Sequence, residues 1–516
     1  MSDQRNLQVG SQTCSETCSS GLLAIADRAR PHIFKRIADV LLATDHDVAR
    51  LLLQRGVAIV YFLAFLNVRN QFRPLLGENG LLPVPRFLQL HDFRSAPSIF
   101  HWHYSDRLVA TVAWSGMTLA MGVVAGGLDF VPLWVTPIWW LSLWVLYLSV
   151  VNVGQTFYGF GWESLLLEAG FYAAFLGNAD IAPPWLTILA FRWLLFRVEF
   201  GAGMIKMRGD PCWRDLTCLH YHHETQPMPG PTSRWFHHLP PLLHRIEVAA
   251  NHVAQLAVPF LLFLPQPAAG VGALGVIVTQ SYLIVSGNYA WLNLLTLLLA
   301  FSALPDSWFE TLGWQVTSSN ASARWFDVST IALAVVVVWL SRHPVRNLVG
   351  RGQLMNYAFN RLHLVNTYGA FGSVTRHRRE LIIEGSLTED PGERDWRPYE
   401  FKGKPGDPYR RPRQWAPYHL RLDWMMWFVP LSARYAGRWL DALVEKLFEA
   451  DGAFLRLLAQ DPLEGQRPAR IRGRMVDYRY STRAEKRQTG RYWITGASRV
   501  VFDVRRPTHL DSDRAG

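Results

Sequence analysis

Lys206 is the only lysine between Lys35 and Lys402, and it closes an apolar, glycine-spaced run, EFGAGMIKMRGDPCW, that begins at Glu199. On a helix of 3.6 residues per turn, Arg192, Glu199 and Lys206 recur every seven residues and share one face. Charges inside a bilayer are costly unless they face a bundle interior or water and pair with one another. Two readings follow. In one, the three groups line a polar cavity where a partly desolvated lysine acts as a base, with Glu199 as its partner. In the other, Lys206 is an anchor that reaches the membrane edge while Arg192 sits near the opposite interface.

Other side chains are candidates for the same cavity. Glu168 stands among Leu, Ala and Gly in GWESLLLEAG; Glu163, five residues earlier, diverges from it by about 140° on a helix, so paired-acid hydrolysis is not expected. The stretch HRIEVAANHVAQL places Glu247, Asn251 and His252 on neighbouring helical faces, where they would complete a polar cavity or stitch helices together. The loop LHYHHETQP carries His220, His222, His223 and Glu224. An irregular His-x-His-His-Glu has three donors for a metal, but without an HExxH spacing the expected role is hydrogen bonding, with no metal and no cofactor. Cys212 and Cys218, six apart in one loop, are either a local disulfide or two free thiols. In RLDWMMWF, Arg421, Asp423, Trp424 and Trp427 form either an exposed patch suited to a client protein or a buried seam between domains.

The elements that must position these residues are mostly apolar helices. Half of the 516 residues are hydrophobic, with 22 Trp and 28 Phe. Nine apolar stretches, at about 50–68, 108–126, 134–152, 160–178, 185–205, 246–264, 267–284, 286–304 and 326–341, approach the roughly 17 to 25 residues that cross a bilayer as helix. The expected fold class is an α-helical polytopic membrane domain of eight to ten spans, followed by a small β-rich extramembrane domain with a helical insertion. Residues 1–48 read as a polar lead with an amphipathic helix on the membrane surface. Residues 49–345 read as the multi-pass domain, interrupted by long loops at 69–107 and 206–245. Residues 346–510 alternate polar with β-branched or aromatic side chains, as strands do, around an amphipathic helix near 439–459.

The net charge of +11 is carried by arginines that flank spans or lie in the tail. They suit anionic lipid, and no nucleic-acid-binding motif accompanies them. Nor is there a G-x-S-x-G elbow or a phosphate-binding glycine loop, which removes support for hydrolase and nucleotide roles. Basic residues ahead of the first span place the N-terminus in the cytoplasm, and an odd number of spans would put the C-terminal domain outside.

Five stretches resemble motifs of the lipase maturation factor family: WESLLLEAGF at 162–171, GDPCWRDLTCLHYHHETQPMP at 209–229, GNYAWLNLLT at 287–296, YEFKGKPGDPYRRP at 399–412 and RLDWMMWF at 421–428. The resemblance implies an integral membrane protein that assists folding or assembly of exported lipases or other secreted proteins, with a C-terminal domain on the external or luminal side. It marks Asp210, Trp213, His222 and Glu224 as loop positions facing structure or substrate. Animal members reside in the endoplasmic reticulum; the arginine-rich composition points instead to a bacterial inner membrane. The implied partners are the lipid bilayer and a secreted client, the implied mode is binding rather than catalysis, and no oligomeric state is implied. A shorter stretch, AGMIKM at 202–207, resembles the segment of vitamin K-dependent γ-carboxylase that holds its catalytic lysine, with Lys206 at that position and Ile205 replacing a second lysine. The second reading is therefore a carboxylase-like membrane enzyme with Lys206 as base.

Overall fold

The computed structural model describes residues 45–314, 320 and 322–507; the amphipathic lead expected before residue 45 lies outside them. Twelve helices carry the architecture: α1 (Asp47–Leu76), α2 (Asp106–Val124), α3 (Val135–Val153), α4 (Gly161–Ala173), α5 (Trp185–Arg208), α6 (Leu219–Thr225), α7 (Pro241–Leu256), α8 (Ala268–Ser286), α9 (Leu292–Ala300), α10 (Arg324–Val349), α11 (Arg421–Phe428) and α12 (Gly437–Glu449). At 1.5 Å per residue the 30 residues of α1 extend about 45 Å, longer than a hydrocarbon core. Its first orphan amides are satisfied across the bundle: the Asp306 carboxylate accepts from Asp47 N at 2.7 Å and Val48 N at 3.0 Å.

Five of the nine apolar stretches, now α1, α2, α3, α8 and α10, form helices long and apolar enough to cross a membrane. The others differ for two reasons. α4 has 13 residues, about 20 Å of helix, and is buried almost throughout. The stretch at 246–264 belongs to a helix that ends at Leu256 and to a separate short turn, Val258–Leu261, while that at 286–304 yields only nine residues of α-helix before a 3-10 turn. α5 is long enough at 24 residues but buries two arginines, a glutamate and a lysine. Apolarity along a chain does not distinguish a lipid-facing surface from a bundle interior. α10 shows the former, with Val328, Ile331, Val335, Val338 and Trp339 exposed, and α4 the latter. Close packing around α4 depends on Gly170, where a Cβ would lie 2.1 Å from the Tyr61 hydroxyl of α1.

Beyond residue 364 the chain builds a four-stranded antiparallel sheet in the order β2-β1-β3-β4, from β1 (Arg378–Ser386), β2 (Arg397–Pro398), β3 (Arg470–Tyr480) and β4 (Trp493–Arg505). β1 pairs with β3 from Arg378 opposite Tyr478 to Ser386 opposite Arg470. The segments RYWITG and SRVVFDV are one strand, β4, which pairs with β3 across two register shifts. Between β3 and β4 a short helix, Arg483–Thr489, begins with a capping box in which Thr482 and Glu485 satisfy each other's backbone amides. α11 and α12 lie between β2 and β3 in the chain.

Candidate functional site

The sheet does not simply hang from the membrane helices. Arg421, at the start of α11 and fully buried, donates to Glu163 Oε1 of α4 at 2.7 Å, Asn67 Oδ1 of α1 at 2.7 Å and the Phe157 carbonyl at 2.8 Å. Its guanidinium lies 3.5 Å from the Tyr158 ring centroid. Gln71 of α1 donates to the His419 carbonyl at 2.7 Å, and Trp424 packs against Trp162. Asp423 accepts from Gly403 N at 2.6 Å, and Trp427 Nε1 donates to the Thr225 carbonyl at 3.0 Å. Three of the four expected residues, Arg421, Trp424 and Trp427, thus stand at contacts between the C-terminal region and the rest of the chain, whereas Asp423 holds the C-terminal region to itself through Gly403. A second joint runs through Arg378 of β1, which donates to the carbonyls of Glu224, Gln226 and Pro227.

A cavity of about 280 Å³ opens between α5, α6, α7, α8 and the segment at 368–371. Its walls are mostly apolar, and the polar groups on them come from separate elements. Lys206 Nζ donates to Asn251 Oδ1 at 3.0 Å and Gln255 Oε1 at 2.8 Å, both on α7, where they stand one turn apart. The ammonium also lies 4.9 Å from the Trp213 ring centroid. Lys206 is 6% exposed, so its side chain is held inside the bundle rather than extended from its surface. Glu199 accepts from Gln280 Nε2 of α8 at 2.6 Å, and among the described residues no ion pair joins it to Lys206. An ammonium has three N–H donors, and side-chain amides hold two of them.

Arg192 and Glu168 do not belong to this cavity. Arg192 is 14 residues from Lys206, about 21 Å along the helix, and donates to the Ser302 and Leu262 carbonyls at 3.0 and 3.1 Å beside His46 and Trp185. Sharing a face is therefore not the same as sharing a site. Glu168 forms a buried ion pair with Arg197 and accepts from Tyr172 (2.6 Å), Asn366 N (3.1 Å) and Tyr368 (2.8 Å). The two acids of α4 thus serve two different arginines, Glu163 with Arg421 and Glu168 with Arg197. His252 also faces away: its Nε2 is 2.9 Å from the Trp213 carbonyl, so it steadies the residue that covers Lys206.

The loop residues divide the same way. Asp210 caps the short helix Pro211–Arg214 and pairs with Arg376 at 2.8 Å, and that hydrogen bond holds its carboxyl below the usual range. Cys212 and Cys218 are disulfide-bonded, with Cα atoms 4.8 Å apart, and flank Trp213, whose Nε1 donates to the Phe371 carbonyl at 2.8 Å. His222 Nε2 lies 2.9 Å from the Tyr289 hydroxyl, which donates to Gln226 Oε1 at 2.8 Å. Burial, with the neighbouring His223 and Lys206, pushes its imidazole down to about 3, so it is neutral. Glu224 turns away from the cavity, accepting from Tyr480 N of β3 at 2.7 Å beside His237. Burial raises its carboxyl and pushes His237 down to about 3.

The four-residue loop set His220, His222, His223 and Glu224 is thus not convergent. His223 instead meets His244 and Glu247 of α7, their donor atoms within 4.8 Å of one another. Sequence reasoning named Glu247 but passed over His244, three residues earlier on the same helical face. It also missed Gln255, Gln280 and Tyr289. A lone glutamine in α8, a helix without charged residues, was the available signal for Gln280, since such a group needs an internal partner.

Residues 48–311 match the family model described as the lipase maturation factor transmembrane domain, and residues 364–502 the model described as the lipase maturation factor C-terminal domain. The chain is 39% identical over 495 residues to lipase maturation factor 1 of Bos taurus, covering 87% of each chain. It is 38% identical to lipase maturation factor 1 of Homo sapiens over 87% of this chain and 86% of the relative. Lipase maturation factor 2 of Gallus gallus is 27% identical over 85% of this chain and 78% of its own. No solved structure matches significantly. The carboxylase-like reading of Ala202–Met207 finds no support among these relatives. A membrane domain and a C-terminal domain that both match, in order and over most of the chain, make this protein a member of the lipase maturation factor family.

Proposed function

We propose that this membrane protein assists the folding or assembly of exported lipases, acting by binding rather than by chemistry on the client. The observation that carries the reading is the similarity to lipase maturation factor 1 along 87% of both chains. Binding fits a chain with no phosphate-binding glycine loop. The C-terminal sheet, held by Arg378 and Arg421, and the segment between α5 and α7 offer the extramembrane surface for a client. The Cys212–Cys218 disulfide favours an oxidising compartment for that loop, hence the outer side of a bacterial inner membrane or the lumen of an endoplasmic reticulum. On this reading the remaining helices complete a bundle of eight to ten membrane segments around the five that are long and apolar enough to cross.

The test is the specific activity of secreted lipases in a deletion strain carrying either the wild-type protein or Lys206→Ala at equal membrane abundance. Binding predicts that the wild-type protein restores activity and that Lys206→Ala retains most of it. Unchanged specific activity of every secreted lipase in the deletion strain overturns the proposal.

A further inference from the structure

We propose that His223, His244 and Glu247 bind one divalent transition-metal ion of the zinc class in the wall of the cavity. The inference does not rest on the maturation reading; it comes from how three side chains on two helices converge. His223 belongs to α6, His244 and Glu247 stand one turn apart on α7, and their ligand atoms all lie within 4.8 Å of one another. Zinc bonds of about 2.05 Å in a tetrahedron separate neighbouring ligand atoms by about 3.3 Å. The spacings present, 3.1 Å from His244 Nδ1 to Glu247 Oε2 and 3.9 Å from His223 Nε2 to the same oxygen, bracket that value.

His223 is the second observation. It is 2% exposed, yet neither ring nitrogen has a hydrogen-bond partner. A buried polar ring without partners costs free energy, and a metal ion is a partner that a neutral imidazole can take.

The surrounding contacts are those that orient metal ligands. Tyr282 donates to Glu247 Oε1 at 2.9 Å, leaving Oε2 for the ion. His244 Nδ1 is hydrogen-bonded to Glu247 Oε2 at 3.1 Å, and binding the ion would move its proton to Nε2, which lies 3.4 Å from the His237 carbonyl. Two imidazoles and one carboxylate suit zinc rather than calcium or magnesium, which prefer oxygen sets. Three protein ligands leave a fourth position free, and because His223 and Glu247 line the cavity, that position faces its interior.

The experiment uses the full chain in detergent, stripped with chelator, in a Cys14→Ser/Cys18→Ser background that removes the two remaining thiols as competing ligands. Zn²⁺ is titrated against a chromophoric chelator, and Co²⁺ is used as a spectroscopic probe. The expected result is one equivalent of Zn²⁺ bound below micromolar free metal, and a visible Co²⁺ spectrum of a four- or five-coordinate nitrogen and oxygen site. His244→Ala and Glu247→Gln should each weaken binding by about 100-fold or more, and Tyr282→Phe by about 10-fold with the stoichiometry kept. Absence of a bound equivalent at micromolar free Zn²⁺ overturns the proposal. So does unchanged affinity in His244→Ala and Glu247→Gln. If those variants fail to fold, the Co²⁺ spectrum of the background protein decides alone: an octahedral, aquo-like spectrum overturns it.

Discussion

Arg421 and Glu163 are both fully buried, and neither has bulk water to fall back on. Removing one partner leaves the other as an uncompensated buried charge, which costs about 3 to 5 kcal/mol. Arg421→Met is therefore expected to lower the thermal midpoint sharply in detergent. The double variant Arg421→Met/Glu163→Gln should lose less than the sum of the two single changes, as a double-mutant cycle would read. His222 and His237 carry a different dependence. Both imidazoles are depressed to about 3 by burial, so the unfolded chain binds protons that the folded chain does not. Their contribution is fully present above the unfolded value of about 6.5 and is lost as pH falls through the window toward 3, at about 1.4 kcal/mol per pH unit for each group at most. Lowering pH from 6.5 to 5 should destabilise the wild-type protein more than His222→Gln/His237→Gln, and the difference in thermal midpoints against pH reads the effect.

Among the elements, α4 is the most confined. It lies against α1 with Gly170 facing the Tyr61 hydroxyl, and Tyr61 is itself fully buried. A side chain at 170 must push two helices apart. Overpacking of this kind costs about 1 to 3 kcal/mol, so Gly170→Val should reduce the thermal midpoint while a substitution on the lipid-facing side of α10, such as Val338→Leu, should not. The loop before α6 relies on its crosslink. Cys212→Ser/Cys218→Ser removes a closure of six residues in sequence, worth about 2 kcal/mol by chain entropy. Its further effect is on Trp213, which covers Lys206 from within that loop. Faster amide exchange at 209–219 in the serine variant is the expected readout.

At the scale of the whole molecule, segments of the C-terminal region complete the interior of the helical part. Its residues satisfy Glu163, Asn67 and Gln71 near α1 and α4, and Glu168 receives Asn366 and Tyr368 from the segment after α10. A chain ended after Val349 would remove these partners, leaving Glu163 without its arginine and Glu168 with only Arg197 and Tyr172. Its abundance in membranes is expected to fall several-fold relative to the full chain, since a loss of a few kcal/mol shifts steady-state levels by that much. Co-expression of residues 350–516 as a separate chain should recover part of it, with quantitative immunoblotting as the measure.

Local patterning was enough to mark the helical part, the strands of the tail and the stretches that name the family. Apolar runs of nearly twenty residues and alternating β-branched residues are properties of short windows, and those windows need no knowledge of what lies opposite. The cavity was legible only in part. Glu199, Lys206, Asn251 and Glu247 were found because spacing on one helix is visible in the chain; Arg192 was included on the same ground and Glu168 for its apolar neighbours, although the fold sends them to Ser302 and Arg197. The meeting of His223 with His244, of Glu199 with Gln280 and of Arg421 with Glu163 joins residues 21, 81 and 258 positions apart. Only tertiary structure decided those partners, because a buried charge or imidazole specifies that it needs a partner and says nothing of which distant segment supplies it.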